Sequence, residues 1–576
     1  MKKLSHSFDF CVVGGGMAGM IAAIAAARHG AKVALIQDRP VLGGNASSEI
    51  RMHICGAHGE NNRETGILEE TLLENHYRNS QPNYSIWDSV LYGKAQYQDN
   101  LTLFLNCSVS DCQMDGTRVK SVTGWQMTTE TWHTIEAKLF ADCSGDGVLA
   151  PLTGAEYRIG RESRSEFGES IAPVEGDKKT MGMSCLFQAR EHTTPQPFIA
   201  PDWAYSFTKP EDLRGRGTNL RRTNFWWMEV GGDYDSIHDT EVMREELLKI
   251  AFGVWDYIKN YSPDKDEFAN WALDWQGFLP GKRESRRYVG DHILTQHDIE
   301  AAGKFDDLVA YGGWTMDDHF PAGFYHPEAG TIFHPAPSPF GISYRTLYSR
   351  NIENLFCAGR NHSATHAAMS ATRVMGTTSL MGQAVGTAAA IANRDGLTPR
   401  GVYENSIREL QQTLMDDDCW LPWRARPIPA LAATAELTAT AGDPEPLRNG
   451  VDRPVDGCEN AWEAACGESV TYTFAESAKV SEIRIVFDSD LNRSVHNMRH
   501  CYQLNDKNWS VPESMVKSFK LEIQGENGGW TTVHEEHNNY QRLVRVSLAV
   551  GVKTIRLTPL GTWGADTAKI FAFDAR

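Results

Sequence analysis

The chain has 576 residues, a mass of 64.2 kDa and a formal net charge of −18 at pH 7. Nucleic acid and anionic membrane surfaces would repel a protein this acidic, so we predict that neither is a partner. Residues 1–9 lack the apolar region of a signal peptide and no later apolar stretch is long enough to span a bilayer, so we predict a cytoplasmic protein.

The first predicted elements are a strand, a glycine turn, a helix and a second strand. Residues 10–13 are a short apolar run, residues 20–28 are rich in alanine, and residues 32–36, which follow Gly30 and are apolar after Lys32, form the second predicted strand. Gly14, Gly16 and Gly19 have the G-x-G-x-x-G spacing between the first strand and the helix. This spacing allows a tight turn, a close approach of pyrophosphate and packing of the helix on the strand. The pattern predicts a dinucleotide site.

The end of the second strand provides the candidates for ribose binding. Gln37 holds the position where this kind of site normally has an acid, and Asp38 follows it. Either Gln37 binds the ribose through its amide oxygen or Asp38 takes over that role. The loop over residues 40–51 is rich in glycine, asparagine and serine, and its amides and hydroxyls suit phosphate and ribose contacts.

Four motifs in the expected order carry a resemblance to a known family. Residues 14–51 resemble the start of the FAD-dependent oxidoreductases of the glutathione-reductase-like superfamily. Residues 101–109 resemble the strand that passes the adenine, residues 139–147 the later strand and turn near the cofactor, and NLFCAGR at 354–360 the closing motif. The resemblance covers residues 8–160 and 335–395 and implies an enzyme with FAD as its cofactor.

The resemblance also implies which residues contact FAD. The predicted cofactor residues are Gly14, Gly16, Met17, Ala18, Gly19, Gln37, Asp38, Arg39, Gly43, Gly44, Asn45, Ser47, Ser48, Arg51, Val109, Asp142, Gly145, Gly359, Arg360 and Met375. One long helix is predicted over residues 363–393, and its N-terminal end is expected to face the flavin's pyrimidine carbonyls and N1. Such a helix end stabilises the negative charge of reduced flavin.

Residues 158–334 are predicted to form an inserted α+β substrate domain. A strand is predicted over residues 223–232 and a helix over residues 240–260. Arg283 and Arg287 belong to a basic cluster around Glu284, which either forms a solvated face or internal ion pairs, or recognises an anion. By resemblance to similar segments of the family, Arg283 and Arg287 could hold a carboxylate, a flavin carbonyl or an acidic sugar.

Histidines near the cofactor motifs are the candidates for a general base. His366 and His362 directly follow the closing motif, and a histidine with a pKa near neutrality commonly takes the hydroxyl proton when a carbinol loses hydride. We predict His366 as the base, with His362 second and His58 as a third candidate. His53, Cys55 and His58 lack a fourth metal ligand, and the eleven cysteines have no zinc or C-x-x-C spacing, so we predict no metal and no disulfide framework.

The C-terminal part has a different pattern. Residues 417–446 are rich in proline and alanine and are predicted to be a linker. Residues 447–576 contain short alternating strands with turns between them, which predicts an antiparallel sandwich. This region resembles the galactose-binding-like, discoidin-type jelly roll, so it either binds sugar or has a structural role such as dimer formation.

Taken together, these patterns predict an α/β, Rossmann-like FAD-binding domain at 1–157 and 335–416, the inserted domain at 158–334, a linker at 417–446 and an all-β jelly-roll sandwich at 447–576. The predicted activity is hydride transfer from a carbinol carbon of a sugar or glycoside to flavin N5. One alternative is redox-neutral, flavin-assisted elimination, isomerisation or glycoside cleavage, and another is a carbohydrate-binding protein on a flavoprotein scaffold. The expected partner is a small molecule, with carbohydrate as the candidate class; a homo-oligomer is left open.

Overall fold

The computed structural model describes residues 1–494, 496–524 and 528–576. Its contacts divide the chain into two compact units. The first unit consists of Met1–Ala57, Pro82–Leu410 and His496–Asn508, and the second of His58–Gln81, Gln411–Val495 and Trp509–Arg576. Each unit therefore includes a short segment from a distant part of the sequence. The domain limits predicted from the sequence do not include such an exchange, and they stay a prediction.

A seven-stranded sheet is the centre of the first unit. In spatial order its strands are Leu101–Phe104, Val33–Ile36, Lys2–Val13, Thr131–Asp142, Arg118–Gln126 and Cys107–Asp115, while Leu355–Cys357 pairs with Thr131–Asp142. The strands around Lys2–Val13 run parallel, and Arg118–Gln126 and Cys107–Asp115 add an antiparallel hairpin. The parallel strands are apolar and buried because helices cover such sheets on both faces. The predicted α/β class is confirmed.

The helices of the first unit vary widely in length. They are Met17–Arg28, Tyr84–Gln96, Leu149–Thr153, Arg164–Phe167, Thr240–Asp256, Gln296–Glu300, His366–Thr372, Met375–Asp395 and the start of Pro399–Asp416. A π-helical turn, Tyr257–Tyr261, extends the helix predicted over residues 240–260. The single helix predicted over residues 363–393 is wrong. Val374 has an extended backbone (φ −65°, ψ 145°), and this conformation separates His366–Thr372 from Met375–Asp395.

Helix Met17–Arg28 crosses helix Met375–Asp395 at very short range. A Cβ atom at Gly382 or Gly386 would lie 2.1 Å from the carbonyl oxygen of Ala18 or Ala22, respectively. The glycines therefore allow the two backbones to touch. This crossing positions both helices relative to the central sheet.

The remaining strands of the first unit form small antiparallel sheets. Their strands are Tyr157–Arg158 with Arg287–Tyr288; Met183–Ser184 with Glu229–Val230 and Gly281–Lys282; Phe187–Glu191 with Trp271–Gln276; Leu308–Gly312 with Phe340–Ser343; and Met316–His319 with Thr331–His334. The strand predicted over residues 223–232 is confined to Glu229–Val230. Phe225 has a positive φ of 59°, which interrupts an extended chain.

The second unit is built on an antiparallel seven-stranded sheet. Its strands in spatial order are Trp462–Ala465, Thr567–Ala575, Val470–Phe487, Leu543–Thr562, Val516–Gln524 and Trp530–Glu536, with Glu436–Ala439 paired to Val470–Phe487. Its helices are Ile67–Arg78 and Ala430–Thr434. The predicted antiparallel sandwich is confirmed.

Two predictions about this unit need correction. The supposed linker contains helix Ala430–Thr434 and strand Glu436–Ala439, so part of it belongs to the sheet. Strands predicted as separate elements are continuous in Val470–Phe487 and Leu543–Thr562, because register shifts let each long strand bend without ending.

None of the helices formed by the described residues combines the length and apolar character that crossing a bilayer requires. All eleven cysteines lie in described segments, and each is a free thiol.

Candidate active site

A cavity of about 440 Å³ opens at the carboxyl ends of the parallel strands. We call it the dinucleotide cavity. The predicted cofactor residues that line it are Gly14, Gly16, Met17, Ala18, Gln37, Asp38, Arg39, Gly43, Gly44, Asn45, Val109, Gly145, Gly359, Arg360 and Met375. The structure thus brings residues from all four sequence motifs to one cavity.

Gly16 shows that the cavity is shaped for a ligand. Its backbone (φ −64°, ψ 178°) is one that any residue adopts. Among the described atoms, a Cβ on Gly16 would meet only the Cα of Gly44, at 3.9 Å. The protein itself therefore does not require a glycine here. A pyrophosphate lying against the backbone does require one, because a side chain would occupy its place.

Two helices begin at the wall of this cavity. Met17 and Met375 are their first residues, and both line it. Of the described side chains, none caps either helix and none in either first turn is acidic. The first N–H groups and the positive end of each helix dipole are therefore available to an anion.

Gln37 and Asp38 differ in their availability to a ribose. The Gln37 Oε1 accepts a hydrogen bond of 2.7 Å from the Gly15 N–H, and its Nε2 donates one of 3.2 Å to the Val41 carbonyl. The Gln37 amide thus holds the glycine loop in place. The Asp38 side chain is 61% exposed and lines the cavity. Of the two alternatives, this geometry favours Asp38.

Five predicted cofactor residues are absent from the lining formed by the described residues: Gly19, Ser47, Ser48, Arg51 and Asp142. Asp142 is fully buried and accepts hydrogen bonds from Ser144, from the Leu149 N–H and from the Tyr288 hydroxyl. The guanidinium of Arg51 lies between the rings of Tyr84 and Trp275, 4.4 Å from each. These contacts support the cavity walls.

Further side chains, which sequence reasoning missed, complete the wall. Asp146 lines the cavity and binds Arg360 at 2.7 Å and Lys282 at 2.8 Å. Burial opposes ionisation of Asp146, but the Arg360 and Lys282 cations hold its pKa well below the usual range. Asp146 lies next to Gly145 in the third motif, and this position was the available signal.

These glycines, helix ends and charges are those that a dinucleotide cofactor needs. A family model described as "FAD dependent oxidoreductase" matches residues 9–414. The chain belongs to the FAD-dependent oxidoreductase family. Its cofactor is FAD, and the enzyme class predicted from the sequence is confirmed.

Carbohydrate-binding modules resemble the C-terminal region of this oxidoreductase. The family 32 module of Streptococcus pneumoniae EndoD is 16% identical and matches 25% of this chain and 97% of that chain with a TM-score of 0.20. The family 32 module of Clostridium perfringens NanJ, solved in complex with galactose, is 14% identical and matches 25% of this chain and 95% of that chain with a TM-score of 0.18.

A second cavity of about 440 Å³ adjoins the dinucleotide cavity of the oxidoreductase. The two cavities share Asn45, Arg373 and Met375. The rest of the second cavity is lined by Met52, His53, Cys55, Arg222, Thr223, Asn224, Trp226, Arg283, Trp314, Asp317, His319, Phe333, Val374, His496 and His500. Its wall therefore combines aromatic rings with many hydrogen-bonding groups.

Both ring nitrogens of His366, the predicted base, contact carboxylates. Nδ1 lies 2.8 Å from Glu284 Oε2 and Nε2 lies 3.0 Å from Asp318 Oδ1. Burial by itself would lower the pKa of His366, but the two carboxylates raise it to about 10. A general base needs an unprotonated nitrogen, so this geometry argues against that role.

The lining that the described residues form around the second cavity includes neither of the other two predicted histidines. His362 is fully buried, with Nδ1 3.0 Å from the Gly359 carbonyl and Nε2 3.2 Å from Thr372 Oγ1. Burial lowers the pKa of His362 to about 4. His58 belongs to the second unit, where its carbonyl accepts a hydrogen bond from Asn62.

Arg283 and Arg287 form internal contacts, as one of the two interpretations proposed. Arg287 is fully buried, 3.2 Å from Glu162, and donates to the Ala364 carbonyl at 2.8 Å. Arg283 lines the second cavity, but its guanidinium donates to Ser184 Oγ and to the Trp226 carbonyl, both at 2.9 Å. Neither arginine is a free anion receptor in this geometry.

Sequence reasoning placed His53 and His319 among the histidines near the cofactor motifs but gave them no role at a substrate site, and it missed Asn224, Arg373 and His500; all five line the second cavity. Arg373 donates to Asp317 at 3.0 Å, and His319 lies between Glu229 (2.6 Å) and Asp317 (3.2 Å). For His500 the available signal was the segment HNMRHCY at 496–502, which interrupts the β pattern.

Within the described ranges, no three His, Cys, Asp or Glu side chains are grouped as a metal site.

Proposed function

We propose that this FAD-dependent oxidoreductase oxidises a carbinol group of a sugar or glycoside bound in the second cavity. When bound, FAD supplies the acceptor for the hydride that leaves the carbinol carbon. The substrate hydroxyl must lose its proton to a residue of the chain in the same reaction.

The shared wall of the two cavities is the observation that carries this proposal. Asn45, Arg373 and Met375 line both the dinucleotide cavity and the second cavity. Met375 also begins helix Met375–Asp395, whose positive N-terminal end lies at the wall of the dinucleotide cavity. A small molecule in the second cavity would therefore lie next to the cofactor, and the proposal requires that the flavin ring be the part of the cofactor at this shared wall.

The composition of the second cavity supports a polyhydroxylated ligand. Trp226 offers an aromatic surface, and its ring packs edge-on against His319 at 5.3 Å. Aromatic faces stack on the apolar faces of sugar rings, and Asn224 and the histidines can bond hydroxyl groups. The volume of about 440 Å³ is within the range of small-molecule sites.

The test is an anaerobic titration of the purified holoenzyme with sugars, glycosides and uronates, followed at the flavin absorbance band. A substrate of the proposed class bleaches the band, and its deoxy analogue, which lacks the reacting hydroxyl, binds without bleaching it. Bleaching by small hydroxycarboxylates alone would contradict the sugar assignment.

Product analysis separates net oxidation from redox-neutral chemistry. Under the proposal, one keto product accumulates for each flavin reduced. Turnover to an eliminated, isomerised or cleaved product with the flavin oxidised at the end would contradict net oxidation.

A further inference from the structure

A segment from the C-terminal part of the sequence belongs to the first unit. Residues His496–Asn508 are followed and preceded in sequence by parts of the second unit. Tyr502 anchors the segment, because its N–H donates to the Ala189 carbonyl at 3.0 Å and its carbonyl accepts from the Glu191 N–H at 2.8 Å. Cys501 is part of the apolar core of the first unit. In this segment, His500 lies in the wall of the second cavity.

The hydrogen bond of His500 determines which ring nitrogen carries the proton. Nε2 lies 3.3 Å from the Arg221 carbonyl oxygen, which can only accept. The proton is therefore on Nε2, and the neutral ring has its lone pair on Nδ1. Among the described residues, Nδ1 of His500 has no hydrogen-bond partner.

The surroundings of His500 keep the ring neutral. Burial lowers the pKa of His500, while the bond to the Arg221 carbonyl and the charge of Asp506 work in the opposite direction. The other titratable groups in the same cavity wall are His53, Cys55, His496, His319, Asp317, Arg222, Arg283 and Arg373.

His53 has the complementary arrangement. The Trp226 N–H donates to Asn224 Oδ1 at 3.3 Å, so the Asn224 amide nitrogen faces His53 and donates to its Nδ1 at 3.1 Å. The lone pair on Nδ1 is thus occupied, and Nε2–H is left as a donor. Burial, together with His496 and His500, lowers the pKa of His53 to about 3, so this ring is also neutral.

The other ionisable groups of the wall are less suitable as proton acceptors. Both nitrogens of His319 face carboxylates, and Asp317 is held by His319, Arg373 and Thr331. These partners outweigh burial and hold the pKa of Asp317 well below its usual range. His496 is exposed.

We propose that His500 is the general base of the oxidoreductase and that His53 donates a hydrogen bond to the same ligand. This inference rests on the proposed carbinol oxidation. The substrate O–H bond breaks as an N–H bond forms at His500 Nδ1. The C–H bond breaks, its hydrogen leaves with the electron pair as hydride, for which bound FAD would be the acceptor, and the carbinol becomes a carbonyl. The imidazolium then releases the proton to solvent.

The first experiment compares holoenzyme variants by anaerobic flavin reduction with a sugar that bleaches the wild-type flavin. His500→Gln keeps an amide donor for the Arg221 carbonyl but removes the basic nitrogen. We expect normal FAD content, binding of the deoxy analogue within about threefold, and flavin reduction slowed by about 10²–10⁴-fold. The matched control is His297→Gln, at a histidine whose side chain is 55% exposed, and it should reduce at the wild-type rate.

A second readout does not depend on activity. In holoenzyme labelled with ¹⁵N-histidine, the signals missing from His500→Gln identify this residue. We expect a neutral ring protonated at Nε2 at pH 7, and a shift of the Nδ1 signal when the deoxy analogue binds.

Each failure has its own meaning. An unchanged reduction rate in His500→Gln, or a His500 ring protonated at pH 7, overturns this inference and leaves carbinol oxidation standing. If no sugar or glycoside bleaches wild-type flavin, the proposed function is wrong, and the assignment of His500 falls with it.

Discussion

His366 illustrates how burial and neighbouring charges decide the role of a single residue. Its side chain is 7% exposed and contacts the carboxylates of Glu284 and Asp318 through both ring nitrogens. In water a histidine titrates near pH 6.5, whereas here the carboxylates outweigh the effect of burial and raise the pKa to about 10. The ring is therefore a cation at neutral pH and pairs with two acids.

This charge predicts a pH-dependent contribution to stability. Because the pKa of His366 is raised on folding, its contribution is fully present below the unfolded pKa of about 6.5 and is lost as the pH rises through about 10. His366→Gln removes the cation that contacts both acids, although Glu284 keeps Arg287 at 3.4 Å, and we expect a loss on the order of 3–5 kcal/mol at pH 6. Denaturant unfolding of the wild type and the variant at pH 6, 8 and 10 measures this loss of stability.

The difference in the free energy of unfolding between wild type and His366→Gln should shrink as the pH approaches 10. The free energy of unfolding of His297→Gln should match that of the wild type at every pH. A difference that is constant from pH 6 to pH 10 would show that the ring is not charged in the folded protein.

Gly16 is the residue whose identity most directly reports cofactor binding. A side chain there meets no close atom of the described protein, but it enters the dinucleotide cavity. Gly16→Val should therefore fold and lose FAD, because it blocks the approach of pyrophosphate. The absorbance ratio of flavin to protein in purified samples measures occupancy.

Gly93→Val is the matched control for Gly16→Val, since no described atom lies within 4 Å of a Cβ at Gly93. It should retain its FAD. Full occupancy in Gly16→Val would mean that the cofactor lies elsewhere.

At the scale of elements, the crossing of helices Met17–Arg28 and Met375–Asp395 connects the two ends of the cofactor site. Both helices begin at the dinucleotide cavity, and Gly382 and Gly386 let their backbones touch. The spacing of these glycines by four residues puts them on one helix face. A residue with a side chain at either position would push the helices apart.

Gly386→Ala should therefore destabilise the protein and weaken FAD binding. A Cβ at Gly386 would lie 2.1 Å from the Ala22 carbonyl oxygen, and overpacking of this kind costs about 1–3 kcal/mol. Gly93→Ala, in helix Tyr84–Gln96, should instead be neutral or stabilising by up to about 1 kcal/mol. Unfolding midpoints and FAD dissociation constants of the two variants test the contrast, and equal midpoints would contradict it.

At the scale of the whole molecule, each unit is completed by a segment from a distant part of the chain. In the first unit, Tyr502 pairs with Arg190 and its ring lies 4.2 Å under the Arg190 guanidinium. In the second unit, Glu69 binds Arg493 at 2.6 Å, and Arg453 donates to Thr65 at 2.9 Å. The family model ends at residue 414, but residues 496–508 belong to the first unit. The region after residue 414 is therefore not wholly a separate module.

A substitution in segment His496–Asn508 should consequently affect the flavin site. Tyr502 is 7% exposed, and Tyr502→Ala should destabilise the first unit by about 3 kcal/mol and slow flavin reduction by displacing His500. Leu504→Ala is the control in the same segment, because Leu504 is 51% exposed and should cost at most about 0.5 kcal/mol. FAD release during denaturant unfolding and anaerobic flavin reduction measure both effects. Wild-type behaviour of Tyr502→Ala in both measurements would contradict a role of this segment in the first unit.

The elements with strong local patterns could be predicted from the sequence. Gly14, Gly16 and Gly19 with the flanking apolar runs indicated the βαβ unit, and alternation indicated the C-terminal strands. The break at Val374 could not be predicted, because Ser363 to Asn393 has helical composition and only the extended backbone at one residue divides it. Similarly, Phe225 reduced an apparent strand to Glu229–Val230.

The sequence by itself determined the dinucleotide-binding unit, the family and the β-sandwich, because periodicity and glycine spacing are local properties. The tertiary structure alone decided where the histidines lie and which of them contact charged groups. It paired His366 with two carboxylates, and it brought His500 into the cavity wall that contains His53. Protonation depends on burial and on neighbours in space, and neither can be read from positions so far apart in the chain.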